Sequence, residues 1–199
     1  MKKFWDERYA ENEMVYGYNP NRFLAEQLDD LTKGKILLPA EGEGRNAVYA
    51  AKNDWQVAAF DFSAVAQQKA LQWAAKNNVD INYEVSDLLQ YNAEPNSFDV
   101  IALIYVHMKP EVRYAFHQKV ISWLKPGGKL ILEAFNPNQI NNQSGGPKEQ
   151  DMLYSRIMLK TDFAESMKID YCGNVTLMLD EGSFHSGKAD VVRLIATKI

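Results

Sequence analysis

The run Ile36-Leu37-Leu38-Pro39-Ala40-Glu41-Gly42-Glu43-Gly44-Arg45-Asn46-Ala47 decides how the rest of this chain is read. A short apolar stretch stops at two closely spaced glycines, and a helix-forming segment, Ala47 to Lys52, follows. This is the strand–glycine loop–helix unit with which α/β proteins hold nucleotide-like ligands. Glycine lets the backbone come close to the ligand, and the helix start offers unpaired N–H groups. Gly42, Gly44 and Ala47 satisfy the loose pattern G-x-G-x-x-G/A.

Working outward, strand-like and helix-like segments alternate. Lys35–Leu38 reads as strand one and Gln56–Phe60, closing on Asp61, as strand two. Ala64–Asn77 is an Ala-rich helix, and Ile81–Val85 is strand three. Asp99–Ile104 is an unbroken apolar run, as in a buried central strand, and Glu111–Trp123 is a helix. Leu124–Gly128 reads as a turn before strand five, Lys129–Glu133. A polar Asn- and Gly-rich loop covers 136–147, and Thr161–Met167 reads as a short helix. Asn174–Leu179 and Val191–Thr197 are two last strands, joined by a loop with Gly182, His185 and Gly187. Alternation implies a parallel sheet with helices on both faces. Two final strands with no crossover helix between them imply an antiparallel hairpin. The expected fold is α/β and Rossmann-like: a seven-stranded, mostly parallel sheet ending in a C-terminal antiparallel hairpin.

Before the first strand, residues 4–13 read as a short helix with aromatics on one side. Tyr16–Asn21 is a turn-rich loop, with Asn19 or Asn21 placed to cap a helix whose apolar stripe is Phe23, Leu24, Leu28 and Leu31. The expectation is one domain over 1–199, with an N-terminal helical lid region at 1–31 and an α/β core at 35–199.

The 199 residues carry a net charge of −4 without any strong basic cluster, which argues against a nucleic-acid partner. Cys172 is the one cysteine, so an internal disulfide is excluded, in keeping with a reducing compartment. No apolar run approaches the ~20 residues that span a bilayer. The reading is a cytoplasmic protein without a membrane partner, as a monomer or homodimer. The three histidines are far apart in sequence and no cysteine accompanies them, so no metal site is expected.

Asp61 stands at the end of strand two, where a carboxylate can accept both hydroxyls of a ribose. It can equally cap the next helix, for which Ser63 competes. Asp87, just after strand three, can accept from an adenine amino group or serve a turn. Glycine loop, Asp61 and Asp87 mark three successive strand ends.

With Phe98-Asp99-Val100-Ile101 opening strand four and Leu124-Lys125-Pro126-Gly127-Gly128-Lys129-Leu130 before strand five, the chain resembles the class I S-adenosylmethionine-dependent methyltransferases over nearly its whole length. Trp5-Asp6-Glu7-Arg8-Tyr9, Gly42-Glu43-Gly44-Arg45-Asn46, Ser144-Gly145-Gly146-Pro147 and Glu181–Gly187 narrow this to the tellurite-resistance and thiopurine-methyltransferase-like branch. The resemblance implies S-adenosyl-L-methionine as cofactor and S-adenosyl-L-homocysteine as product. Ala40, Glu41, Gly42 and Gly44 would approach the methionine part, with Arg45 and Asn46 holding the cofactor or the loop. Asp61 would hold the ribose with Phe62 beside the adenine, Ser63 would belong to the same cofactor-binding set, and Ser86, Asp87 and Leu88 would frame the base. Ile104 and Tyr105 would lie under the transferring methyl. One departure stands out. Where the family places an acid and a glycine, this chain has Leu38 and Ala40, which leaves the cofactor's amino group to Glu41 or to a water.

Methyl transfer is an in-line displacement, so alignment and exclusion of water matter most. The implied function is methyl transfer to a small-molecule acceptor, including soft nucleophiles such as thiol, selenium or tellurium species. A nicotinamide-dependent oxidoreductase and a non-catalytic cofactor-binding protein are the alternatives. His185, His107 and Glu133 are the candidate catalytic residues at the mouth, each of which also has a purely structural reading. Trp5, Arg8, Tyr9, Tyr16 and Tyr18 form either a lid or a docked aromatic face. Ser144–Pro147 reads as a flexible loop able to close on substrate.

Overall fold

The computed structural model describes residues 2–10 and 14–199. Seven strands are ordered β3-β2-β1-β4-β5-β7-β6, with β1 Lys35–Pro39, β2 Gln56–Asp61, β3 Asn82–Val85, β4 Phe98–Ile104, β5 Leu124–Phe135, β6 Met167–Asp180 and β7 Ser186–Lys198. Pairings β1–β2, β2–β3 and β4–β5 are parallel, and β5–β7 and β6–β7 are antiparallel. The α/β class and the terminal hairpin are as expected.

The chain falls into two compact units: residues 1–92 with 181–184, and residues 93–180 with 185–199. The first holds β1–β3 with α1 Lys2–Tyr9, α2 Arg22–Asp29, α3 Arg45–Lys52 and α4 Ala64–Lys76. Asn21 caps α2, its side chain accepting from the Leu24 N–H, and Phe23, Leu24 and Leu28 are buried on the expected stripe. Helix α1 ends at Tyr9; the part of that expected helix at Glu11–Glu13 lies outside the described residues. The Ala-rich face of α4 buries Ala66, Ala70 and Ala74. That smooth face permits a very close approach: a Cβ on Gly44 would stand 2.6 Å from the Ala70 Cβ, and Gly44 has φ +86°. Only glycine meets both conditions.

The second unit holds β4–β7 with α5 Pro110–Trp123 and α6 Arg156–Phe163. Strand β4 is buried along nearly its whole length, as its apolar run predicts. Phe135, Leu153, Leu179, Ala189 and Val191 form a core cluster beside the hairpin. Three expectations are corrected here. Residues 124–128 belong to β5, with Gly127 at φ +78° and a register shift opposite Phe98 and Val100 rather than a separate turn. The helix expected at Thr161–Met167 runs from Arg156 to Phe163, because Ser155 caps it by accepting from the Met158 N–H. The two hairpin strands extend well beyond their apolar cores, so Gly187 lies in β7 rather than in the connecting loop. Among the described residues no helix is long and apolar enough to cross a membrane.

Candidate cofactor and acceptor sites

In the first unit, β1 turns sharply into α3. Ala40, Gly42 and Gly44 all have positive φ, of +50°, +63° and +86°. An alanine in the left-handed region costs roughly 1 kcal/mol. Ala40→Gly is therefore expected to raise the melting temperature by a few degrees, since relief of that strain exceeds the extra freedom glycine brings to the unfolded chain. A calorimetric scan checks this, and a lower melting temperature would show that the Ala40 methyl contributes packing.

Asp61, 3% exposed, is held in the turn. Its Oδ2 accepts the Gly42 N–H at 3.2 Å and its Oδ1 accepts the Ser63 N–H at 2.9 Å. Burial pushes its carboxyl up to about 6, while the N–H groups of Ser63, Gly42 and Phe62 pull the other way. The choice between ribose ligand and helix cap is thereby narrowed. The Ser63 side chain caps α4, its Oγ accepting the Ala66 N–H at 3.2 Å and donating to Asp6 at 2.5 Å. Asp61 is left as a carboxylate bracing the glycine loop. A carboxylate has about four acceptor positions, so two loop amides do not exhaust it.

Glu41 is engaged differently from expectation. Oε1 accepts the N–H groups of Asn46 and Ala47, both at 2.8 Å, and Oε2 accepts the Asn46 side-chain amide at 3.2 Å. Gly44, the capping residue, has no side chain to do this, and Glu41 supplies the missing acceptor. Burial pushes the Glu41 carboxyl up to about 7 against those hydrogen bonds.

Arg45 and Asn46 hold the surrounding loops. Arg45 donates to the Tyr16 carbonyl at 3.0 Å and pairs with Glu181 at 2.8 Å, and the Asn46 Oδ1 accepts the Asn21 N–H at 2.8 Å. Glu43, also buried, accepts the Val15 N–H at 2.7 Å and pairs with Lys69 at 2.7 Å. Helix α1 docks its aromatics onto the loop. A Cβ on Gly42 would meet the Tyr9 hydroxyl at 2.8 Å, and Trp5 stacks on Tyr9. Arg8 lies against the rings of Phe4, Trp5 and Phe184 and donates to the Tyr16 hydroxyl at 2.9 Å. Tyr18 instead packs against Trp73. Tyr83, which the sequence did not single out, donates its hydroxyl to the Gly42 carbonyl at 2.6 Å.

After β3 the Ser86 N–H donates to the Asp61 carbonyl. Asp87 is exposed, its Oδ1 accepting the Leu89 N–H at 3.0 Å in the manner of a turn aspartate. Phe62, Ser86 and Leu88 are half-buried.

In the second unit, β4 ends at Ile104 and Tyr105 follows with φ +56°. That strained conformation is held from β5: the Tyr105 N–H donates to the Glu133 carbonyl at 2.8 Å and its hydroxyl to Glu133 Oε1 at 3.0 Å. Glu133 is buried and also pairs with Arg193 at 2.5 Å, its register partner across β5–β7. His185 meets the edges of Tyr105 and Phe135, at 4.6 and 5.4 Å between ring centres. His107 has both ring nitrogens on the backbone. Nδ1 lies 2.7 Å from the Met152 carbonyl, and Nε2 accepts the Phe135 N–H at 3.1 Å. Burial lowers its pKa to about 4. Both ring nitrogens are engaged with the backbone, the geometry of a structural brace. The Ser144–Pro147 loop is likewise tied down. Ser144 donates to the Lys188 carbonyl at 2.5 Å, and Gln139 donates to Ser144 and to the Gly145 carbonyl at 3.0 Å.

The model of a methyltransferase domain matches residues 36–128. Phosphoethanolamine N-methyltransferase 3 of Arabidopsis thaliana is 29% identical over 121 residues, 58% of this chain and 24% of that protein. The chain thus spans about a quarter of the length of the first curated relatives it matches. Thiopurine S-methyltransferase of Legionella pneumophila, strain Philadelphia 1, is 23% identical over 194 residues, 83% of this chain and 85% of that protein. The solved structure of TehB from Haemophilus influenzae superposes with a TM-score of 0.75 at 14% identity, covering 100% of this chain and 67% of that one. A matched domain that begins in β1 and ends at the Pro-Gly-Gly of β5 contains the glycine loop, Asp61 and Tyr105 together. Residues 36–128 thus match a methyltransferase domain, and the chain is similar in sequence to thiopurine S-methyltransferase and in fold to TehB.

Proposed function

We propose that this chain transfers a methyl group from S-adenosylmethionine to a small, soft nucleophile of the thiol, selenide or telluride class. The observation that carries the cofactor half is the Asp61 carboxylate, buried at the end of β2 and bonded to the glycine-loop amide. It suits a pair of vicinal ribose hydroxyls, since two loop amides leave acceptor positions open. When bound, S-adenosylmethionine supplies a methyl group on a sulfonium, displaced in line by the acceptor with loss of neutral S-adenosylhomocysteine.

The acceptor class is supported by what two of the three acid–base candidates, Glu133 and His107, are already doing. Glu133 carries hydrogen bonds from Tyr105 and Arg193, and His107 is fixed at both nitrogens. An acceptor that arrives as an anion needs no proton removed at the moment of attack, so a thiolate or its heavier analogues fit such a site better than an amine or alcohol. The sulfur-methylating name of the Legionella relative supports the same reading.

The test is an acceptor screen at pH 7.5, following S-adenosylhomocysteine release and the methylated product by mass spectrometry. Aryl thiols, selenide and telluride are expected to turn over. Turnover of amines with none of thiols would contradict the assignment.

A further inference from the structure

We propose that Tyr83 is a positioning residue for the cofactor: its hydroxyl, reaching from β3 across β2, locks the Gly42–Glu43 peptide of the glycine loop in the conformation that receives S-adenosylmethionine. The inference rests on the cofactor reading given above and deepens it.

The glycine that lets a loop approach a ligand also leaves that loop loose. Gly42 sits at φ +63°, and without a side chain it reaches other backbone conformations almost as readily. The peptide that follows it is therefore free to turn over unless something outside the loop holds it. Two side chains do so, one from each of two neighbouring strands. Asp61 Oδ2, at the end of β2, accepts the Gly42 N–H at 3.2 Å, and the Tyr83 hydroxyl donates to the Gly42 carbonyl at 2.6 Å. Both backbone polar groups of Gly42 are thereby engaged. In a trans peptide the carbonyl and the following N–H point opposite ways, so a carbonyl kept on Tyr83 also fixes where the Glu43 N–H points. Register shows how a side chain of β3 gets there. Leu38, Ala59 and Tyr83 form one row across β1, β2 and β3, so Tyr83 shares a face with Ala59, whose side chain is a single methyl group. Tyr83 is buried, and the Gln67 side chain on α4 donates to its carbonyl at 2.7 Å, which steadies that part of β3. Burial, with Asp61, Glu41, Tyr9 and Glu43 nearby, holds the Tyr83 hydroxyl well above the usual tyrosine range, so it stays protonated and remains a donor. A loop fixed before its ligand arrives loses less freedom on binding. Tyr83 thus acts through Gly42 rather than on the ligand.

Tyr83→Phe removes the hydroxyl and keeps the ring. Titration calorimetry is expected to show about 3- to 10-fold weaker binding of S-adenosylmethionine and S-adenosylhomocysteine alike, as the loss of one neutral hydrogen bond implies. Amide NMR relaxation dispersion on the ligand-free proteins gives a second readout. The Gly42 and Glu43 signals are expected to be free of millisecond exchange in the wild type and broadened by it in the variant. A merely structural hydroxyl would lower the melting temperature and leave both readouts unmoved. A folded variant that binds within about twofold of the wild type would overturn the proposal. So would exchange broadening of the same two amides in the ligand-free wild type, a result that does not depend on the variant folding. The cofactor assignment is read separately, from the wild-type titration. A wild type that binds neither adenosyl compound, with exchange appearing only in the variant, would sink the cofactor and keep the peptide lock. Wild-type binding matched by an equally tight variant would do the reverse.

Discussion

Asp61→Ala is expected to lower affinity for S-adenosylmethionine by at least about 100-fold at pH 7.5. Two ribose hydroxyls donating to one carboxylate make charge-assisted hydrogen bonds worth about 1.5–3 kcal/mol each, and a factor of ten is about 1.4 kcal/mol. The same carboxylate also positions the loop amide of Gly42, so the substitution removes both a ligand contact and a brace. The acid carries its own pH signature. Its carboxyl is raised to about 6 by burial, and only the ionised form accepts from both hydroxyls. Affinity should therefore fall as pH drops through 6, because protonation withdraws an acceptor, and level off above it. Titration calorimetry of the wild-type and variant chains at pH 5.5 and 7.5 checks both statements. A variant that binds within threefold of the wild type would place the ribose elsewhere.

The second large effect lies away from the cofactor. Asp162 on α6 accepts from Arg113 Nε and stands 2.8 Å from His117 Nδ1, both on α5. Asp162 and His117 are buried. Burial works to raise the Asp162 carboxyl, but the hydrogen bonds from His117 and Arg113 overcome it and hold the group below its usual range. Burial lowers the His117 pKa, so the ring is neutral near pH 7 and donates its Nδ1 proton to the carboxylate. The ion pair is thus formed by Arg113, with the histidine completing it. Removing one member of a buried charge pair strands the other, at about 3–5 kcal/mol. Asp162→Ala should lower the melting temperature by roughly 10 °C. A triple replacement, Arg113→Leu with His117→Phe and Asp162→Leu, should cost clearly less, because no charge is left without a partner. Thermal unfolding distinguishes the cases. A single-variant loss under about 1 kcal/mol would show that solvent reaches the pair and screens it.

These effects differ in how far the amino-acid string announces them. The glycine pair at 42 and 44, Asp61 one strand later and the apolar run of β4 are local signals, and each stands where the pattern places it. The Ala-rich composition of α4 was legible as well, but not that Gly44 packs against Ala70. What stayed hidden depends on contacts between distant parts of the chain. Glu133 and Arg193 meet because of strand register in an antiparallel pair, and register cannot be read from residues 60 positions apart. Asp162 meets His117 across 45 positions of sequence, on a helix that begins at the Ser155 cap rather than at Thr161. Strand β6 is long but alternates exposed and half-buried positions, and its polar residues blur its ends. Glu41 carried an ambiguous signal: an acid in a ligand loop serves a ligand or its own helix, and only the two 2.8 Å bonds to Asn46 and Ala47 separate these roles. The tethering of His107 to two backbone groups was equally invisible, since neither Met152 nor Phe135 is near it in sequence.

The central claim is that the glycine loop and Asp61 hold S-adenosylmethionine. Titration calorimetry of the purified chain with S-adenosylmethionine and S-adenosylhomocysteine, using NAD and NADP as controls, tests it most directly. The account predicts micromolar binding of the first pair and no heat from the second. Binding of a nicotinamide dinucleotide with none of the adenosyl compounds would contradict it.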